Sequence, residues 1–447
     1  MKDKRVVVLD VVGLSMRHFE NSEYLPNLSS LRDQGRLSGI KPVFPAVTLP
    51  VQASMTTGCY PEKHGIVANG FFSSETLQVS FWDQPAGLVQ AERIWDRLKR
   101  KNPGLITAAL FMQNTLYAGC DCVITPKPMH TDDGLVQWCY SKPVGFYEQV
   151  CDELGEFNLM DYWGPMTSIG ASRWIAGAAV ETMASIRPHL MFVYLPHLDY
   201  CTQKLGPDHP NIGMELQLVD REVGRIVQGI EDLGLKDETT FIVLSEYEFY
   251  KVEGAIDLNR IFRRAGLLRV RTIQNREYLD FELSPAFAMV DHQIAHIYIK
   301  SGYEKKIRAI LEGVAGIDFL FDQKGKEEQW VNHARAGAII AVSARNKWFS
   351  YYWWDDSARE PDFAGHVDIH RKPGYDPLEL FFDHETKKIS QDTSLIRGSH
   401  GYPPLTDDDL LPFIISGEAA VNLPLTRKLC VTDLSSIIEE ILVTNEV

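Results

Sequence analysis

Residues 44–69 read FPAVTLPVQASMTTGCYPEKHGIVAN, and this stretch organises the rest of the chain. Thr48 stands between two prolines, directly before a run of helical character over residues 51–57. The first turn of a helix leaves main-chain N–H groups unpaired, and such groups hold anions. Thr48 is therefore placed to be a nucleophile or a metal ligand that faces a phosphate. A plain helix N-cap is the alternative for a threonine in this position.

The length and charge of the chain favour an acidic enzyme with metal sites over an acidic scaffold. The 447 residues are 45% hydrophobic, which allows a large core and either two or three domains or one α/β domain with insertions. The formal net charge is −15, from 45 basic and 60 acidic residues. This excess argues against nucleic acid or an anionic membrane as the main partner. A phosphorylated small substrate remains compatible with it, because bound cations reverse the local field.

The cysteines and the N-terminal residues lead us to expect a cytoplasmic enzyme. The seven cysteines are odd in number and scattered, which is typical of free thiols in a reducing compartment. The apolar run that ends at Asp10 is too short for the core of a signal peptide, and no run approaches the ~20 residues of a membrane span.

Alternating strand and helix patterns predict a parallel sheet wound on both faces. Continuous apolar runs typical of buried strands are 5–10, 105–111, 190–195, 240–244 and 412–416, while residues 113–170 look like irregular cover over one edge. Ligands bind beyond the carboxyl ends of such strands. Three of these ends carry a carboxylate, namely Asp10, Asp199 and Glu246, and a His-Gly turn at His400 comes late. Such ligands can converge on two cations, with Thr48 on one of them. Zinc suits mixed oxygen and nitrogen ligands, and manganese or iron are alternatives.

The composition changes near residue 257, which predicts an inserted module. Residues 257–385 are interpreted as a smaller α+β cap that faces the substrate, and residues 1–256 and 386–447 as the catalytic core. Within the cap, residues 286–299 alternate like one strand.

Several motifs together resemble the nucleotide pyrophosphatase/phosphodiesterase (type I phosphodiesterase) family of the alkaline phosphatase superfamily. They are PVFPAVTLPVQASMTTGCYPEKHGIVANG, LPHLDYCTQKLGP, Ser-Glu-Tyr at residues 245–247 and His-Gly at residues 400–401. The resemblance implies an alkaline-phosphatase-like α/β fold, with a mostly parallel sheet, helices on both faces and an inserted α+β cap. It also implies a hydrolase that cleaves a phosphodiester, pyrophosphate or related phosphoryl bond of a small, nucleotide-like substrate.

The same resemblance implies roles for particular residues. Thr48 would be the nucleophile that forms a phospho-threonine intermediate, and Asn69 would bind a non-bridging phosphate oxygen. Two divalent metals, zinc first, would be held by the positions Asp10, Thr48, Asp199, Gln203, Glu246 and His400.

The chain departs from the family pattern at its metal ligands. Gln203 stands where the family has histidine, and Glu246-Tyr247 stands where it has Asp-His. Mostly oxygen donors remain, which favours a harder cation. His197, His292 and His296 are candidates to replace the lost nitrogen ligands, and a structural imidazole is the alternative for each.

Three further alternatives stay open. The chemistry could be that of a phosphonate hydrolase or phosphomutase-like relative, or the protein could bind a phosphorylated metabolite without turnover. The polar run 366–372 is either a substrate-recognition loop or a turn held by ion pairs. The aromatic run 348–354 either stacks a ring of the ligand or packs the cap onto the core.

Overall fold

The computed structural model describes residues 4–422 and 428–443, and within them one large sheet of nine strands forms the centre of the molecule. In spatial order its strands are Leu429–Cys430, Gly35–Lys41, Leu411–Ser416, Thr239–Leu244, Arg5–Val11, Leu190–Leu195, Thr107–Leu110, Cys122–Pro126 and Cys139–Lys142. The five from Thr239–Leu244 to Cys122–Pro126 are parallel, and the pairings on either side of this block are antiparallel. The predicted mostly parallel sheet is therefore confirmed.

The register of the central strands brings the predicted carboxylates to one edge. Asp10 lies beside Tyr194 and Leu244, the last or next-to-last residues of the two neighbouring strands. The chain segments that follow those strands carry Asp199 and Glu246. All three side chains thus begin at the same carboxyl edge, where ligands of open α/β sheets bind.

The helices of the large sheet contact one another in two groups. One group contains Pro26–Asp33, Ile169–Ser185, His197–Leu205 and Ile212–Asp232, and the other contains Thr48–Thr57, Ile94–Lys101 and Leu434–Val443. Apolar residues from both groups join the sheet in one core. Shorter helices are Pro61–His64, Phe146–Leu154, Leu159–Tyr162 and Ala419–Asn422.

A second, antiparallel sheet follows residue 257. Its strands lie in the order Ala286–Asp291, Ile294–Ile299, Ile339–Ser343 and Ile317–Phe321. The helices Leu258–Arg264, Glu304–Glu312 and Gln323–Glu328 accompany it. Its core includes Phe44, from the stretch 44–69, and Phe81, so this module packs beside the candidate site. The proposed domain boundaries at residues 257 and 385 stay a prediction.

Two expectations about the strands were wrong. Residues 113–170 are not only irregular cover, because Cys122–Pro126 and Cys139–Lys142 extend the central sheet. Residues 286–299 are not one strand but a hairpin, in which His292 adopts a φ of 58° in the turn. Histidine is among the residues that visit this left-handed region, and alternating hydrophobicity alone does not reveal such a turn.

Among the described residues, no helix combines the length and the apolar character that crossing a membrane requires.

Candidate active site

The nucleophile candidate begins the buried helix Thr48–Thr57. The helix starts three residues earlier than its apolar pattern suggested, because Pro50 is tolerated in a first turn, where its missing N–H leaves no bond unmade. Thr48 is 3% exposed. The helix ends at Gly58, whose φ is 72° and whose Cβ would lie 2.3 Å from Ser435 Oγ. Only glycine fits this position, and it fixes the helix and hence Thr48 against the core.

Thr48, Tyr247 and Asp199 form one line of hydrogen bonds. Tyr247 follows the strand Thr239–Leu244 and donates its hydroxyl proton to Asp199 Oδ1 at 3.0 Å. The Thr48 Oγ1 atom lies 3.3 Å from the same hydroxyl oxygen. Burial holds the pKa of Tyr247 well above its usual value, so the phenol stays neutral and acts as a donor. As folded, its proton is committed to Asp199.

The second carboxylate oxygen of Asp199 is also occupied. Gln203, one turn along the helix His197–Leu205, donates from Nε2 to Asp199 Oδ2 at 2.8 Å. The Gln203 Oε1 atom in turn accepts a hydrogen bond of 2.7 Å from the Tyr375 hydroxyl. Burial raises the pKa of Asp199 to about 7, although its bonds to Tyr247 and Gln203 lower it. Asp199 thus sits among matched neutral partners.

Asp10 and Glu246 form a different, less satisfied pair. Gln52 Nε2 lies 2.7 Å from Glu246 Oε1 and 3.4 Å from Asp10 Oδ2, while Gln52 Oε1 accepts from the Gln113 N–H at 2.7 Å. The remaining oxygens, Asp10 Oδ1 and Glu246 Oε2, are buried without a hydrogen-bond partner. Burial raises the pKa of Asp10 to about 7, and burial together with the Asp10 charge raises that of Glu246 further.

His400 points an unused nitrogen toward this site. Its Nδ1–H donates to the Ala46 carbonyl at 3.0 Å, which leaves Nε2 as an acceptor 3.6 Å from Asp199 Oδ1 and without a hydrogen-bond partner. The ring stacks on Tyr247, with centroids 3.4 Å apart. Burial holds the pKa of His400 well below its usual value, so the ring is neutral. The next residue, Gly401, has a φ of 106°, which explains the His-Gly pattern.

Asn69 is fixed by two partners on different elements. Its Oδ1 accepts from the Leu49 N–H at 2.9 Å, and its Nδ2 donates to Asp291 Oδ1 at 3.1 Å. Asp291 also accepts from the Asn69 main-chain N–H at 2.8 Å and lies 2.8 Å from His292 Nδ1. The second sheet therefore anchors the residue that the family resemblance places on the phosphate.

The three substitute histidines have different positions. His292 reaches the site, where its ring stacks on Tyr375 and lies 3.8 Å from the His400 ring centroid. His296 bonds the Val67 carbonyl at 3.1 Å and the Gly337 N–H at 3.1 Å, which is a structural role. His197 turns to Glu215, 2.7 Å away, on the neighbouring helix.

These donors fit one cation better than two. At Asp10 and Glu246, two buried carboxylates each have an oxygen without a donor, and a divalent cation would satisfy both. At Asp199, both oxygens already accept hydrogen bonds, and the amide and phenol that replace the histidines present N–H and O–H groups to it. The Asp199 side, as folded, does not fit a metal ion.

Three residues of the network were missed from the sequence. Gln52, Asp291 and Tyr375 stand far along the chain from their partners. Gln52 itself was the one available signal, because an amide must find partners when it is buried.

The two open motifs now have plain structural explanations. In the polar run, Lys372 is 1% exposed and bonds Asp376 and Glu379, so the run is held by ion pairs. The aromatic run 348–354 is buried in the core of the second sheet.

Comparisons with known proteins agree with this architecture. The family model for type I phosphodiesterase / nucleotide pyrophosphatase matches residues 6–376. A pyrophosphatase/phosphodiesterase of Schizosaccharomyces pombe is 23% identical over 261 residues, which cover 54% of this chain and 44% of that protein. The bis(5'-adenosyl)-triphosphatase enpp4 of Mus musculus is 28% identical over 230 residues, which cover 50% of this chain and 42% of that protein. The matches thus span less than half the length of these two curated relatives.

Solved structures are similar over nearly the whole chain. Phosphonoacetate hydrolase from Sinorhizobium meliloti 1021, in complex with phosphonoformate, has a TM-score of 0.65 at 15% identity, covering 98% of this chain and 96% of that chain. Murine ectonucleotide pyrophosphatase / phosphodiesterase 5 has a TM-score of 0.60 at 18% identity, covering 98% and 95%. An inactive form of that murine protein has been solved in complex with AMP. These likenesses establish an alkaline-phosphatase-like α/β fold.

Proposed function

Because the chain belongs to the type I phosphodiesterase / nucleotide pyrophosphatase family, we propose that it hydrolyses a phosphodiester or pyrophosphate bond of a small molecule, with Thr48 as the nucleophile. The observation that carries this proposal is the line Thr48–Tyr247–Asp199. Tyr247 donates to Asp199, so its oxygen is left to accept from Thr48, and the hydroxyl proton of Thr48 has a path to a carboxylate.

The proposed reaction has two displacements. Thr48 Oγ forms a bond to phosphorus as the leaving-group oxygen departs, and its proton passes through Tyr247 to Asp199. Water then attacks the phospho-threonine, the P–O bond to Thr48 breaks, and the threonine hydroxyl regains a proton. A carboxyl group whose pKa burial raises to about 7 is suited to hold that proton near neutral pH.

Asp10 and Glu246 are the residues that would hold a divalent cation, with Thr48 beside them. Such a cation neutralises charge on the phosphoryl oxygens and lowers the pKa of a bound hydroxyl. The donors there are oxygens, which favours magnesium or manganese over zinc.

The substrate must gain access to a closed site. Thr48, Asn69 and His400 are 3%, 1% and 0% exposed. A pocket of only ≈ 10 Å³, room for about one water molecule, is lined by Leu49, Asn69, Asp83 and Asn114, so a substrate would enter here only if the pocket widens. The murine relative solved with AMP supports a nucleotide-like substrate.

The direct test replaces the nucleophile. Thr48→Ala should lower cleavage of a chromogenic phosphodiester by at least about 1,000-fold, as loss of a nucleophile does in other hydrolases. Thr57→Ala is the matched control, since this buried threonine of the same helix bonds only local backbone, the Ala53 carbonyl and the Cys59 N–H. Mass spectrometry of acid-quenched protein should find, on Thr48 alone, a phosphoryl group that still carries the ester substituent that did not leave. Unchanged turnover by Thr48→Ala would place the nucleophile elsewhere.

Two rivals are decided by the same assays. The neutral network around Asp199 also suits a protein that binds a phosphorylated metabolite without turnover. Wild-type protein that binds AMP but cleaves no phosphodiester with Mg²⁺, Mn²⁺ or Zn²⁺ would establish that rival. The fold shared with phosphonoacetate hydrolase makes a phosphonate the second substrate to assay.

Cation stoichiometry separates this site from a two-metal site. We expect reconstituted wild-type protein to hold one Mn²⁺ at this centre, and Glu246→Gln to lose it. The double variant Gln203→His/Tyr247→His should gain a second ion, because it removes both donors to Asp199. Two Mn²⁺ ions in wild-type protein that Glu246→Gln and Asp199→Asn each diminish would contradict the assignment.

A further inference from the structure

A second cluster of metal-binding side chains lies on the helix His197–Leu205. Within residues 4–422 and 428–443, His197, Cys201 and Glu215 are the one group of three His, Cys, Asp or Glu side chains whose ligand atoms all lie within 4.8 Å of one another. The cluster is separate from the candidate active site. Its three residues come from two neighbouring helices, His197–Leu205 and Ile212–Asp232.

Helical geometry places the cluster on the face opposite the catalytic residues. Asp199 and Gln203, four residues apart, share the face toward Thr48. His197 and Cys201 have the same spacing but are displaced by two residues, which is a rotation of about 200°. Residues four apart on a helix lie one above the other, so each pair forms a ready two-ligand unit.

We propose that His197, Cys201 and Glu215 bind a zinc ion through nitrogen, sulfur and oxygen. This donor set is one that zinc accepts, and three protein ligands leave a fourth position for water. A thiolate and a carboxylate balance the charge of a divalent ion, so the filled cluster is neutral. The thiol releases its proton to solvent when the metal–sulfur bond forms.

The surroundings of the cluster support coordination. His197 is 6% exposed, and its Nδ1 is buried without a hydrogen-bond partner, so no hydrogen bond from outside the cluster holds the ring. Its Nε2 lies 2.7 Å from Glu215 Oε2. Two ligands of one zinc ion lie roughly 3.3 Å apart, given metal–ligand bonds of about 2.0–2.1 Å. Glu215 therefore moves by roughly half an ångström to admit the ion.

The positive charge of Lys204 lies near the cluster and opposes metal binding, but its ammonium group bonds another residue. Lys204 donates from Nζ to Thr167 Oγ1 at 3.1 Å. The Cys201 thiol, in turn, makes only a weak contact of 3.4 Å with the Leu198 carbonyl of its own helix, which a metal bond would replace.

The test uses Co²⁺ as a probe for the full-length protein stripped with a chelator. Thiolate–cobalt coordination gives a near-ultraviolet charge-transfer band that carboxylate sites do not give, so ions at Asp10 and Glu246 stay silent. We expect a band at one equivalent, displaced by Zn²⁺. Glu215→Gln keeps a hydrogen-bond acceptor for His197 but removes the charged ligand, and it should weaken Co²⁺ binding by at least about tenfold.

Matched variants make the outcome decisive. Cys201→Ser should abolish the band, whereas Cys59→Ser, at a thiol outside the cluster that contacts Thr57, should preserve it. Glu246→Gln should also preserve it, so failure of the proposed hydrolase site and failure of this cluster are distinguishable. If Cys201→Ser does not fold, Glu215→Gln still decides. Absence of the band in wild-type protein, or its persistence in both Cys201→Ser and Glu215→Gln, would overturn the proposal.

Discussion

Removal of one hydroxyl, in Tyr247→Phe, tests how the active-site network is built. The hydroxyl donates to Asp199 at 3.0 Å and lies 3.3 Å from Thr48 Oγ1, and both partners are buried. A hydrogen bond to a charged group contributes about 1.5–3 kcal/mol, and its loss here leaves Asp199 Oδ1 without its donor. We expect the free energy of unfolding to fall by that amount. For 447 residues, this corresponds to a melting temperature lower by roughly 2–3 °C.

The same change should slow the reaction. If the proton of Thr48 leaves through Tyr247, the loss of about 1.5–3 kcal/mol in the transition state lowers kcat by about 10- to 150-fold. The substrate KM should change little, because the hydroxyl contacts Thr48, the proposed nucleophile, and not the leaving group. Steady-state kinetics of phosphodiester cleavage and urea unfolding are the two measurements.

Tyr351→Phe is the control for the loss of a buried tyrosine hydroxyl. The Tyr351 hydroxyl is buried in the second sheet's core without a hydrogen-bond partner, so its removal should leave stability unchanged or increase it. Equal effects of Tyr247→Phe and Tyr351→Phe on unfolding would refute the network. A stability loss without a fall in kcat would keep the network but refute the proton path.

Two further predictions concern groups outside the reaction. Lys372→Met leaves two buried carboxylates without their cation and should lower the free energy of unfolding in urea by about 3–5 kcal/mol. Lys428→Met, at an exposed ion pair, should unfold like the wild type. Equal effects of the two changes would show that burial does not determine how much an ion pair contributes to stability. Burial lowers the pKa of His64, which lies 2.9 Å from Ser54 Oγ, to about 3, so only the unfolded chain gains this proton as the pH falls below 6.5. Protonation of His64 in the unfolded chain should therefore lower the free energy of unfolding by about 2 kcal/mol between pH 7 and pH 5. His64→Gln should remove this contribution from the dependence of stability on pH. An unchanged pH dependence in that variant would contradict the low pKa of His64.

The sequence predicts the parts of the site that come from single strands. Asp10, Asp199 and Glu246 follow apolar runs that belong to adjacent parallel strands, so their meeting at one edge needs only the rule for parallel sheets. Thr48 was placed by its prolines and the helix after it. The short strands Cys122–Pro126 and Cys139–Lys142 were missed, because each is too short and too mixed in composition to differ from a loop.

The partners of these residues could not be predicted in the same way. Tyr375 forms a hydrogen bond with Gln203, which is 172 positions away in the sequence, and no local sequence pattern predicts such a contact. The hairpin turn at His292 reads as continuous alternation, since strands on both sides have the same period of two. Sequence alone therefore identified the edge at which the predicted site residues meet, but not which of their polar atoms have hydrogen-bond partners.

The replaced ligands are best understood as one coordinated change. A glutamine in place of a metal-binding histidine would leave its carbonyl oxygen unpaired in a buried site, yet Tyr375 supplies a donor to it at 2.7 Å. A tyrosine in place of the second histidine likewise brings a donor to the oxygen of Asp199 that a cation would otherwise occupy. Two separate losses would each be costly, whereas together they close a chain of matched donors and acceptors from Tyr375 to Thr48. Thr48, the proposed nucleophile, is thereby retained beside an Asp199 whose oxygens bond protein donors in place of a second cation.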